Sequence, residues 1–126
     1  MSIQSYKDLV IWKKGIELSV KIYDTTRLFP KEEKFGLISQ MNRAATSVPA
    51  NIAEGWSRNS NGSFIQFLNI AKGSLAELDT FLFISQKLKL IDEEKNTQVL
   101  LLITELQKRI ESLKKTIINK RLKGEG

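Results

Sequence analysis

Five polar side chains set into otherwise apolar helical stretches, Asn51, Glu54, Asn69, Ser74 and Glu77, are the residues whose types and spacing could do chemistry. Carboxylates facing one another from two helices are the raw material of the di-metal sites built inside four-helix bundles. Those sites also take a Glu-x-x-His motif from each of two further helices, and this chain has no histidine and no cysteine. Thiolate nucleophiles, disulfides and zinc knuckles are excluded on the same ground. A Ser-Lys pair is the nucleophilic arrangement that could operate without histidine. No nucleophile elbow, phosphate-cradling glycine loop or metal-ligand spacing accompanies one. The five polar residues are therefore read as a structural network fixing helix register, in which one unsatisfied partner would cost ~1–3 kcal/mol. No enzyme, no metal and no cofactor is expected.

The second chemical signal is charge. The 126 residues carry a formal net charge of +6 and a pI near 9.6, so acidic partners come into view. Between Leu106 and Lys123 the cations Lys108, Arg109, Lys114, Lys115, Lys120, Arg121 and Lys123 face Glu111 alone. We read Lys108, Arg109, Lys114, Lys115, Lys120 and Arg121 as candidates for contacting nucleic-acid phosphates, with Arg43 and Arg58 secondary. Binding of this kind reads little sequence and weakens steeply with salt. The competing readings are a solvated, partly neutralised face and a scaffold that docks an acidic protein. Trp12 and Trp56 could stack bases, but each lies on an apolar stripe, so packing is the expected role.

The elements that position these residues are all helical. Ser5 with Asp8 forms a capping-box pattern ahead of a helix over about 6–28. Phe29-Pro30 ends it, and acids in the next turn open a second helix over about 31–57. The polar run from Ser57 to Gly62 is a loop. Ser63 with Gln66 suggests the cap of a third helix over about 63–89, whose seam is Phe64, Leu68, Ala71, Leu75, Leu78 and Leu82. Asp92 caps a fourth over about 93–122, with Ile103, Leu106, Ile110, Leu113 and Ile117 at four-three spacing. Short connections favour an all-α, antiparallel up-down-up-down four-helix bundle in a single domain. No N-terminal apolar core and no run of ~18 apolar residues points to secretion or a membrane span, so a cytoplasmic protein is expected.

The second helix is unusual. Its apolar rhythm, Ile38, Met41, Ala45, Val48, Ile52 and Trp56, runs straight through Pro49. An interior proline costs about 3 kcal/mol or more, so packing on both sides must hold the segment helical, kinked at Pro49. A static kink is favoured over a hinge.

Helix one carries two apolar stripes. Leu9, Trp12, Ile16, Val20 and Tyr23 form one, which is assigned to the core. Ile11, Leu18 and Ile22 fall on the opposite side, and these are assigned to an oligomer interface with Phe67, Ile70, Phe81 and Ile84 of helix three. Burial of such side chains contributes ~1.5–3 kcal/mol each at most, against an association cost of ~4–15 kcal/mol. A ring in which each protomer uses two different faces favours homo-oligomerisation.

Three blocks carry a resemblance: Tyr6 to Lys14; Phe29 to Leu37 with Ser39-Gln40 and Ser47 to Gly55; and Phe67 to Leu78. Over about 6–90 the chain resembles the four-helix-bundle proteins encoded in intervening sequences of bacterial 23S ribosomal RNA genes. The resemblance implies a left-handed antiparallel bundle assembling as a homopentamer, with no assigned enzymatic activity. It also implies kinship with the accessory protein of diversity-generating retroelements, a basic pentamer that binds RNA and a reverse transcriptase. RNA and a reverse transcriptase or other protein are the partners expected on that basis.

Overall fold

The computed structural model describes the backbone of residues 3–122 and the side chains of residues 3–120. Four helices account for most of it: α1 (Val10–Thr26), α2 (Ser39–Ser57), α3 (Asn61–Lys87) and α4 (Glu93–Leu122), with no strand among the described residues. α2 packs on α1 and α3, and α4 closes the ring by packing on α3 and α1. Paired residues run in opposite senses along neighbouring helices, as Ser19 with Ala45 and Thr26 with Asn42 show for α1 and α2. The fold is an all-α four-helix bundle.

Local chemistry sets the boundaries. Ser5 and Asp8 do form a capping box, but it closes a single 3₁₀ turn, Tyr6–Asp8; extended Leu9 then separates that turn from α1. The segment ahead of α2 is likewise not one helix. It is a 3₁₀ turn at Lys31–Glu33 and a π-helical turn at Lys34–Ile38, with non-helical dihedrals at Gly36. Ser60, not Ser63, caps α3, its side chain accepting the Ser63 N–H at 3.1 Å. Asp92 accepts the Lys95 N–H at 2.7 Å ahead of α4. α3 ends in a Schellman-type cap: Leu90 N–H donates to Ser85 O and Lys89 N–H to Gln86 O, with Lys89 left-handed at φ 61°.

The core is built from Leu18 and Ile22 of α1, Met41, Val48 and Ile52 of α2, Leu68, Leu75, Leu78 and Leu82 of α3, and Ile103, Leu106 and Ile110 of α4, all essentially inaccessible. This corrects the sequence assignment for helix one. Ile11, Leu18 and Ile22 are buried inside the protomer and have no surface left for a partner. Of the stripe assigned to the core, Leu9 is buried and Trp12 packs half-buried against the core, while Ile16, Val20 and Tyr23 are 40%, 57% and 46% exposed.

The reason is the size of the residues between them. A Cβ on Gly15 would lie 3.2 Å from both Cβ and Cδ of Pro49, so α1 turns its Gly15 and Ser19 side toward α2, and Ile11, Leu18 and Ile22 follow it inward. α2 remains helical through buried Pro49. The proline has no N–H for the carbonyl of Ala45, four residues back. Ser19 Oγ lies 3.2 Å from that carbonyl and 2.9 Å from Gly15 O, so its hydroxyl can donate across the seam to the carbonyl that the proline leaves free. Ser19→Ala should therefore destabilise the protein by ~1–3 kcal/mol in urea unfolding. The loss should be smaller in a Pro49→Ala background, where a backbone N–H returns to Ala45; equal losses in the two backgrounds would reject the linkage.

Candidate nucleic-acid interface

Two acids of α4 itself, Glu105 and Glu111, decide which of its described cations are free, and each is shared with a lysine from a neighbouring helix. Arg109 Nε donates to Glu105 at 3.0 Å, and Lys14 of α1 reaches the same carboxylate at 3.1 Å. Lys114 pairs with Glu111 at 3.0 Å, its side chain only 16% exposed, and Lys72 of α3 binds the same Glu111 oxygen. Hydrogen bonds from Lys72, then from Lys114, hold the Glu111 carboxyl well below its ordinary 4.5, at about 2. Glu105 is lowered as well, first by Arg109 and then by Lys14. Both carboxylates therefore stay ionised and clamp α4 to its neighbours.

Lys108, Lys115 and Lys120 are exposed and have no acid partner among the described residues. Lys108 and Lys115, one heptad apart, share with Lys72, Gln107, Ser112 and Glu111 an open cleft of about 550 Å³ between α3 and α4. Arg109 lines a different cleft of about 300 Å³, with Val10, Leu113 and Thr116. The side chain of Arg121 lies outside the described residues. The structure thus brings Lys108 and Lys115 together, adds Lys72, and directs Arg109 and Lys114 into ion pairs.

The secondary cations lie elsewhere. Arg58 pairs with Glu54 at 2.8 Å and its guanidinium sits 5.2 Å from the centre of the Phe67 ring, so its charge is engaged twice. Arg43 lines a polar cleft of about 330 Å³ between α2 and α3 with Gln40, Ser47, Asn51, Ser74 and Glu77. Of the residues assigned to a polar network, Ser74 makes the interhelical bond, accepting from the Ser47 hydroxyl. Asn51 donates back to Ser47 O at 2.7 Å within α2, Glu54 serves Arg58, and Asn69 and Glu77 are exposed. The register contacts are mostly made by others: Ser19 with Ala45, Thr26 with Asn42, and Asn96 with Gln86. On α3, Phe67 and Phe81 are half-buried while Ile70 and Ile84 are 45% and 42% exposed. Trp12 meets Tyr6 at a tilt and Trp56 meets Phe64 edge to face, both half-buried against the core. Among the described residues there is no cluster of three His, Cys, Asp or Glu able to hold a metal, and no helix is long and apolar enough to cross a membrane.

The sequence profile of the 23S rRNA-intervening sequence proteins matches residues 7–112. The chain belongs to that family. The match takes in α1 to α3 and most of α4, including Lys72, Lys108 and Glu111. Among solved structures, the chain is similar to a protein of unknown function from the S23 ribosomal protein family of Bacteroides thetaiotaomicron. The two share 28% identity over 84% of this chain and 99% of the other, with a TM-score of 0.76. No curated protein matches.

Sequence reasoning missed Lys72 and Lys14 because the unpaired positions of α1 and α3 give no sign of which acid on α4 they meet. The clamp makes a measurable prediction. In a carboxyl NMR titration Glu111 should titrate near 2, and Lys72→Met should move it up toward 4.5. Because the folded value lies below the unfolded one, this carboxylate's contribution to stability is complete above pH 4.5 and is lost as pH falls through about 2.

Proposed function

We propose that this member of the 23S rRNA-intervening sequence protein family is a non-catalytic, homo-oligomeric module that binds RNA, or bridges RNA and protein, through the basic face of α4. The observation that supports it best is the open cleft lined by Lys108 and Lys115, which have no acid partner among the described residues, with Lys120 further along the same helix. Unpaired lysines along a helix track a phosphate backbone readily, since each phosphate they neutralise releases a condensed counterion. Oligomerisation would multiply the patch, because long-range potential grows with summed charge.

Two exposed apolar surfaces support assembly. On α1, Ile16 stands beside Pro49, Ala50 and Ala53 in an apolar groove of about 340 Å³, with Val20 one turn on. On α3, Ile70 and Ile84 are exposed on one side, with exposed Leu88 just past the end of the helix. Two different faces per protomer suit a closed heterologous ring, five-membered by resemblance. The same basic face supports, as a second reading, a scaffold that docks an acidic protein without nucleic acid.

Purified protein should bind a structured RNA with a steep salt dependence. Replacing Lys108, Lys115 and Lys120 by alanine should flatten the slope by about 0.7–0.9 for each phosphate no longer neutralised, while leaving molar mass unchanged. No binding at low salt, with the oligomer intact, would overturn the RNA reading in favour of the scaffold. For assembly, Val20→Asp should reduce the molar mass to that of a monomer with helical content retained, whereas Ile22→Asp, which buries a charge, should unfold the protomer. Oligomers that survive Val20→Asp would place the interface elsewhere.

A further inference from the structure

A further pocket lies where α1 ends and the chain turns toward α2, at the pole of the bundle opposite the C-terminal end of α4. Its volume is about 540 Å³, within the range of small-molecule sites. Phe29, 6% exposed, and Ile38 supply apolar lining, and the Tyr23 ring adds an aromatic wall. Lys31 and Lys34 bring positive charge to the same pocket; Arg27, also present, is held by Asp24 at 3.3 Å. Lys31 has no acid partner among the described residues, and Lys34 lies 5.5 Å from the centre of the Phe35 ring. Inside, the Thr26 hydroxyl donates to Asn42 Oδ1 at 2.9 Å, which orients the amide and leaves its N–H groups as donors.

The backbone is shaped for this arrangement. The kinked turn Lys34–Ile38, non-helical at Gly36, contributes its first and last residues to the pocket, and the Glu33 side chain accepts the Leu37 N–H.

An aromatic and aliphatic lining with uncommitted lysines and an oriented amide donor selects a particular chemistry. A bare anion gains nothing from the apolar surface, and a neutral apolar molecule leaves the lysines unused. We infer that this pocket binds a nucleoside phosphate, its base against Tyr23 and Ile38, its phosphate at Lys31 and Lys34, and an acceptor on the base edge meeting Asn42. The ligand is either a free nucleotide or the terminal nucleotide of an RNA chain, since the pocket is open to solvent. The site is separate from the lysines of α4.

Calorimetric titration of the full chain with AMP, UMP, inorganic phosphate and a short 5′-phosphorylated single-stranded RNA tests it. The nucleotides should bind at least about tenfold more tightly than phosphate. Lys31→Gln with Lys34→Gln, and separately Tyr23→Leu, should each weaken nucleotide binding about tenfold with the circular dichroism spectrum unchanged. An oligonucleotide that binds more tightly than a free nucleotide, and loses that advantage in the lysine variant, assigns the site to RNA ends; equal affinities assign it to free nucleotides. Absence of nucleotide binding at millimolar concentration, or phosphate binding as tightly as AMP, overturns the inference. A mononucleotide carries too few phosphates to report on α4, so failure here is distinct from failure of the RNA reading.

Discussion

The carbonyl of Ala45 is the constraint from which much of this bundle follows. Pro49 removes its helical donor, and a buried carbonyl without a donor costs ~1–3 kcal/mol. Ser19 approaches that carbonyl from α1, which requires the two helices to be close, and Gly15 allows it by presenting no Cβ to the proline ring. Once Gly15 and Ser19 face α2, the rotation of α1 is set. Ile11, Leu18 and Ile22 go to the core, and Ile16, Val20 and Tyr23 are left outside. α2 meets α3 at a similarly close crossing, where a Cβ on Gly55 would lie 2.6 Å from that of Phe67. α2 is thus the helix on which both neighbours are seated.

Electrostatics does for α4 what small residues do for α2. Glu105 is shared by Arg109 and Lys14, and Glu111 by Lys72 and Lys114, so two carboxylates join the last helix to α1 and α3. Solvent-exposed pairs are individually worth only a few tenths of a kcal/mol to about 1 kcal/mol. Their larger effect is to divide the cations of α4 into those committed to the bundle and those left to the solvent, a division the net charge conceals.

Much of the fold was legible in the sequence because the signals were periodic. The four-three seams of α3 and α4, the polar loop before α3 and the Asp92 cap rest on patterns a single chain displays. The face of α1 was not legible from hydrophobicity, since Leu9, Trp12, Ile16, Val20 and Tyr23 make the longer and more aromatic stripe. Size was the discriminating signal: Gly15 and Ser19 lie beside the shorter stripe, and close helix approach needs small residues. The polar network failed for a related reason. Asn51 and Glu54 had helix-local partners at i−4 and i+4, whereas the bonds that cross helices come from hydroxyls and amides that look ordinary in sequence. The free lysines could be named from sequence, but their separation from Arg109 and Lys114 depends on where Lys14 and Lys72 arrive from other helices.

The way α4 is fastened has a consequence for how the protein breathes. α4 packs less closely on α1 and α3 than α2 does on the same two helices, and part of its attachment is ionic. Sub-global opening starts at the element with the fewest close helix contacts, so α4 is the helix whose amides are expected to exchange ahead of those in the α1–α2–α3 unit. Screening by salt lowers the cost of that opening and leaves the Pro49 seam untouched. The helix that carries the basic face is therefore also the one whose hold on the bundle depends most on the ionic strength around it.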